Sequence, residues 1–127
     1  MDTKKQRRVR KVYVSGRIGK QAPCQEILER FAKVEKRLRA EGYKVFNPTT
    51  SGLGKKAELL AESLSEKNHK VEWYDAILLL DLSELAKCDA ICLIPGWTES
   101  PGARTEMMYA GATGKAILFC DEDGALL

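Results

Sequence analysis

The feature that most constrains this chain is alternation: short apolar, β-branched runs are interleaved with segments of helical period along most of its length. Residues 12–15 form a β-branched and aromatic run closed by Ser15-Gly16-Arg17. The segment after it sets Ile27, Leu28, Phe31, Val34 and Leu38 on one helical face. Gly42 suits the residue after a helix end, and residues 43–46 read as a second strand stopped by Asn47-Pro48. Helical period returns over residues 72–86, with Trp73, Ile77, Leu80 and Leu85 among its apolar positions, and leads into a strand over residues 90–94. A helix beginning near Arg104 and stopped by Gly114 precedes a last buried strand over residues 116–120. Residues 49–71 break the rhythm. Ser51-Gly52-Leu53-Gly54 reads as a flexible loop, residues 57–64 have helical propensity, and the segment is expected to be a mobile insert or lid.

Strands joined by helical crossovers imply an α/β fold of three layers. The expected architecture is Rossmann-like or flavodoxin-like, a parallel sheet of four or five strands with helices on both faces. The 127 residues allow one domain, expected over residues 11–127 after a basic, flexible stretch at residues 1–10. Residues 76–80 and 90–95 are the longest apolar runs, far short of the roughly 18 residues a membrane span needs. With no apolar signal segment near the start, a cytoplasmic protein with no membrane partner is expected. The net charge of +3 is concentrated: six basic side chains against Asp2 give residues 1–11 a balance of +5, leaving −2 elsewhere. Such a block reads as a solvated terminus, and no pattern for reading nucleic acid bases accompanies it. Cys24, Cys88, Cys92 and Cys120 form no CxxC pair and His69 lies far from them, so neither metal nor cofactor is expected.

In folds of this class ligands sit beyond the carboxyl ends of the strands. The residues found there are Ser15, Gly16 and Arg17 after the first strand and Asn47 after the second. Gly96, Trp97, Ser100, Gly102, Ala103 and Glu106 follow the third. The first turn has neither Walker A nor GxGxxG spacing, so it is either an anion-binding loop or a plain strand–helix turn. The third segment gathers a hydroxyl, close backbone amides, a helix start and a carboxylate, which suits an anionic sugar ligand. The alternative is a helix started by Ser100-Pro101 with Glu106 as a first-turn acid. Trp73 and Trp97 are candidates for stacking on a base, or for core packing.

YVSGR near the start, GYKVFNP after the first helix and LSELAKCDAICLIPGW followed by SPGARTE together resemble the nucleoside 2-deoxyribosyltransferase-like superfamily. The similarity is greatest to a branch often borne by phages. By that resemblance Glu106 is the nucleophile that attacks the anomeric carbon, and Asp81, eight residues before Asp89, protonates the departing base. Asp89 itself reads as a strand cap, and Asp81 as the acid or a helix-surface carboxylate. Ser100, six residues before Glu106, and Ser15-Gly16-Arg17 resemble the members that act on nucleoside 5′-monophosphates. The substrate-binding residues implied are Ser15, Gly16, Arg17, Asn47, Gly96, Trp97, Ser100, Gly102 and Ala103. The resemblance implies an N-glycosidase with a nucleotide or nucleoside as its small-molecule partner, nucleoside 5′-monophosphates first, and a homodimer or higher homo-oligomer. Alternatives are a 2-deoxyribosyltransferase, a cytokinin-activating type of phosphoribohydrolase and a nucleotide-sequestering protein. The chain has no Asn after Asn68, whereas transferases of the superfamily complete a neighbour's site with a late Asn.

Overall fold

In the computed structural model, which describes residues 8–19 and 22–127, strand β1 (Lys11–Ser15) runs through the middle of the sheet. Most of the basic block and Lys20 lie outside the described residues. Alternate residues of β1 serve opposite faces, as the strand period of two requires. Val12 and Val14 pack on one side, against helix α1 (Gln25–Ala40), whose Phe31, Val34 and Leu38 form its buried stripe. Tyr13 packs on the other side with Leu85, Ile91, Leu93 and Ala110. Gly42 takes a φ of 95°, and the Tyr43 amide bonds back to Leu38 O, turning the chain from α1 into β2 (Lys44–Phe46).

From β2 the chain passes a 3-10 turn (Pro48–Thr50), α2 (Gly54–Leu64) and α3 (Trp73–Ala86) before β3 (Ala90–Leu93). A second 3-10 turn (Trp97–Glu99), α4 (Pro101–Ala112) and β4 (Ala116–Phe119) follow. All strand pairs are parallel in the order β2-β1-β3-β4, with α1 on one face and α3 and α4 on the other. This is the expected α/β architecture with four strands. The connections leave β1 and β3 in opposite directions, which opens a crevice at the carboxyl ends of those two strands. Asp89 Oδ2 accepts the amides of Arg10 and Lys11 at 3.0 Å each, fixing the start of β1 against β3.

Two expectations are corrected and a third is refined. Helix α4 begins at Pro101 rather than near Arg104, because Ser100 caps it and proline fits its first position. Strand β4 is an edge strand whose residues are only partly buried, since one long side lacks a neighbouring strand. Residues 49–71 hold a helix from Gly54 onward, docked through Ala57 and Ala61 on Ala76 of α3. Small residues let the two helices approach closely, a reason for helix that a propensity reading alone does not supply. No helix among the described residues is long and apolar enough to cross a membrane.

Candidate active site

Helix α4 carries the first element of the site. The Ala103 amide donates to Ser100 Oγ at 3.2 Å, and Ala103, Glu106 and Ala110 then form the helix's buried stripe. Glu106 lies in the second turn, which overturns the reading of it as a first-turn acid, and is only 6% exposed. Two hydroxyls reach it from the central strand: Tyr13 Oη donates to Oε2 at 2.6 Å and Ser15 Oγ donates to Oε1 at 2.7 Å. Burial pushes the carboxyl up to about 7, while the hydrogen bonds from Tyr13 and Ser15 pull it the other way. Tyr13 stacks on Phe46 with ring centroids 5.3 Å apart, which holds the phenol in place.

Helix α3 supplies the second element. Tyr74, Ile77, Leu78 and Asp81 recur at helical spacing and all line the same cleft. Asp81 Oδ1 is buried with no hydrogen-bond partner among the described residues, and the carboxyl is pushed up to about 7 by burial, then by Glu106 and Glu84. The charge of Glu106 disfavours a second charge on Asp81. Glu106 has two hydroxyls to stabilise its anion and Asp81 Oδ1 has none. The environment therefore favours the charge on Glu106 and the proton on Asp81.

The cleft has a volume of about 500 Å³ and apolar walls that include Ile18, Pro23, Leu53 and Trp73. Much of its other polar chemistry is already engaged within the protein. Thr49 Oγ1 donates to Asn47 at 2.7 Å, Ser51 Oγ to Pro48 O at 3.2 Å, and Trp73 Nε1 to Gly54 O at 3.0 Å. Gly16 leaves β1 as bare backbone because a Cβ there would meet Ile94 and Phe31 at 3.2 Å.

The structure brings Gly16, Asp81, Ser100, Gly102, Ala103 and Glu106 to this cleft. Five other candidates fall elsewhere. The Arg17 guanidinium is exposed, 4.0 Å from Glu99. Asn47 spends its side chain on the turn, accepting from Thr49 N, and on Glu35. Gly96 makes a left-handed turn with φ 94°, and Trp97 packs on Phe119 and the core beneath it. Ser15 is fully buried behind Glu106, so its hydroxyl holds the carboxylate instead of facing the cleft. Sequence reading passes over Tyr13 and Tyr74. The signal for Tyr13 is its spacing of two from Ser15, which places both on one face of the strand. Among the described residues no group of three or more His, Cys, Asp and Glu side chains is placed to hold a metal ion.

A family model described as a domain of unknown function, DUF4406, matches residues 10–119. No curated protein matches the chain. Among solved structures, the chain is similar to a 2-deoxyribosyltransferase from the psychrotolerant bacterium Bacillus psychrosaccharolyticus, with a TM-score of 0.57 and 20% identity. That similarity covers 92% of this chain and 76% of the other, and at this identity it establishes a shared fold.

Proposed function

Since the chain belongs to the DUF4406 family, a domain of unknown function, we propose a function from the cleft itself: an N-glycosidase that cleaves the base–sugar bond of a nucleoside 5′-monophosphate, a deoxynucleotide by preference. The observation that carries this reading is Glu106, buried at the cleft and gripped by Tyr13 and Ser15, beside the unpartnered oxygen of Asp81. One carboxyl kept ionised and one kept protonated are what displacement at an anomeric carbon requires. Glu106 attacks C1′ as the C1′–N bond breaks. The bond's electron pair leaves with the base nitrogen, which takes the proton of Asp81. A glycosyl ester on Glu106 results. Water then adds at C1′ and gives a proton to Asp81, freeing Glu106 and the sugar with retained configuration.

The monophosphate preference is supported by Ser100 on the cleft wall, where a carboxylate would repel a dianion, and by the open backbone of Gly19 at the cleft. A second reading, action on uncharged nucleosides with transfer of the sugar to another base, is favoured by one fact. None of the described residues lining the cleft is a lysine or arginine. The loop at residues 51–54 borders the cleft and in this reading closes over the substrate. The protein works as a homodimer, because α3 is apolar nearly all round and leaves Leu79 exposed, while Met108 is exposed on the adjoining α4.

The test is incubation of the full chain with ribo- and deoxynucleoside 5′-monophosphates and the matching nucleosides, with free base followed by chromatography. Release from monophosphates by the wild type, lost in Glu106→Gln, is the expected result. Release from nucleosides alone, dependent on an acceptor base, replaces hydrolysis by transfer. Tight binding without release replaces both by sequestration.

A further inference from the structure

Helices α3 and α4 both run back against the parallel strands, one leading into β3 and the other leaving it, so they point the same way along the cleft. At 1.5 Å per residue, Asp81 lies about 10 Å along α3 from Tyr74, and Glu106 about 6 Å along α4 from Gly102. Tyr74 and Gly102 meet across the two helices: a Cβ on Gly102 would stand 2.8 Å from Tyr74 Oη and 3.9 Å from Ser100 Oγ. With Tyr74 Oη over Gly102, and Glu106 one turn and Asp81 two turns further along their own helices, the helix rise orders these cleft residues as Tyr74, Glu106, Asp81. The phenol is raised above its ordinary value by burial, then by Glu106, then by Asp81, an order in keeping with that arrangement. It remains a protonated donor at neutral pH.

We infer that Tyr74 binds the end of the sugar remote from the leaving base, and that position 102 is glycine so that the phenol can lie there. The inference rests on the glycosidase reading. With the leaving base at Asp81 and C1′ at Glu106, the rest of the furanose extends toward Tyr74 Oη. There the phenol donates to a sugar hydroxyl or to an oxygen of a 5′-phosphate.

Tyr74→Phe keeps the ring and removes the donor, and two readouts on the full chain test it. In base release from nucleoside 5′-monophosphates it raises KM about tenfold and leaves kcat within a few-fold. In calorimetry with 2-deoxyribose 5-phosphate it weakens binding by a similar factor. Gly102→Ala drives the phenol away and produces the same loss, and adding Tyr74→Phe to Gly102→Ala costs little more, because the two act through one contact. Wild-type KM and sugar-phosphate affinity in Tyr74→Phe overturn the inference. If the wild type releases no base but binds the sugar phosphate, and Tyr74→Phe weakens that binding, the glycosidase reading fails and the sugar contact stands. If the wild type neither releases base nor binds the sugar phosphate, both fail.

Discussion

Glu106 is poised between two opposed effects, and its neighbours decide where it titrates. Burial raises it to about 7, and the Tyr13 and Ser15 hydroxyls limit the rise. Tyr13→Phe deletes one donor, so the carboxyl climbs further and the acidic limb of the pH–rate profile moves to higher pH. At pH 6 kcat/KM is expected to fall about tenfold, while at pH 8 the loss is smaller. On the proposed mechanism the wild-type rate is expected to fall on the acid side as Glu106 takes up a proton and on the alkaline side as Asp81 loses one, both carboxyls being raised to about 7. Asp81→Asn removes the alkaline limb and slows base release by about 10²- to 10⁴-fold, read from single-turnover kinetics. That Glu106 and Asp81 line the cleft is legible in the sequence only through a resemblance that points to them. Tyr13 was not, since a tyrosine in an apolar strand has the appearance of core until the partner of its hydroxyl is known. Asn47 and Trp97 follow strand ends as cleft residues do, yet the turns after β2 and β3 direct them into local packing.

At the scale of elements, two helices bring the chemistry together and a third borders it. Helix α2 docks on α3 through Ala57, which is fully buried, and the loop before it lines the cleft beside the start of α3, where Trp73 Nε1 donates to Gly54 O. Ala57→Leu overfills that contact and is expected to cost about 1–3 kcal/mol in denaturant unfolding, with a raised KM as the wall shifts outward. The strand–helix alternation was readable because burial imposes the period directly: Phe31, Val34 and Leu38 had to share a face. Two features were not. Ser100-Pro101-Gly102 combines a cap signal with a glycine that ordinarily argues against a helix, so the start of α4 was placed too late. The apolar run of β4 reads as interior, and nothing in a run of four residues tells an edge strand from a central one.

For the whole molecule, the two carboxyls link stability to pH. Their folded values stand near 7, against ordinary values of 3.8 and 4.5, so the folded protein binds protons more tightly than the unfolded chain. The stability these two groups contribute is accordingly fully present below about pH 4, declines as pH rises to about 7, and is gone above it. Glu106→Gln flattens that decline and is expected to stabilise the protein by about 1–3 kcal/mol at pH 8, as measured by denaturant melts at pH 5 and pH 8. Assembly is tested separately. Leu79→Glu with Met108→Glu puts two charges on the exposed apolar face of α3 and α4, and light scattering after size exclusion should show half the wild-type mass. The order β2-β1-β3-β4 has one further consequence. The hydroxyls that grip Glu106 stand at alternate positions of the strand whose other side carries Val12 and Val14. A register slip of one residue would turn valines toward the carboxylate and hydroxyls toward α1. Regained turnover during refolding would thus time the closure of the central ladder, and a mutant library sorted for activity would be sorted for correct strand pairing in the same pass.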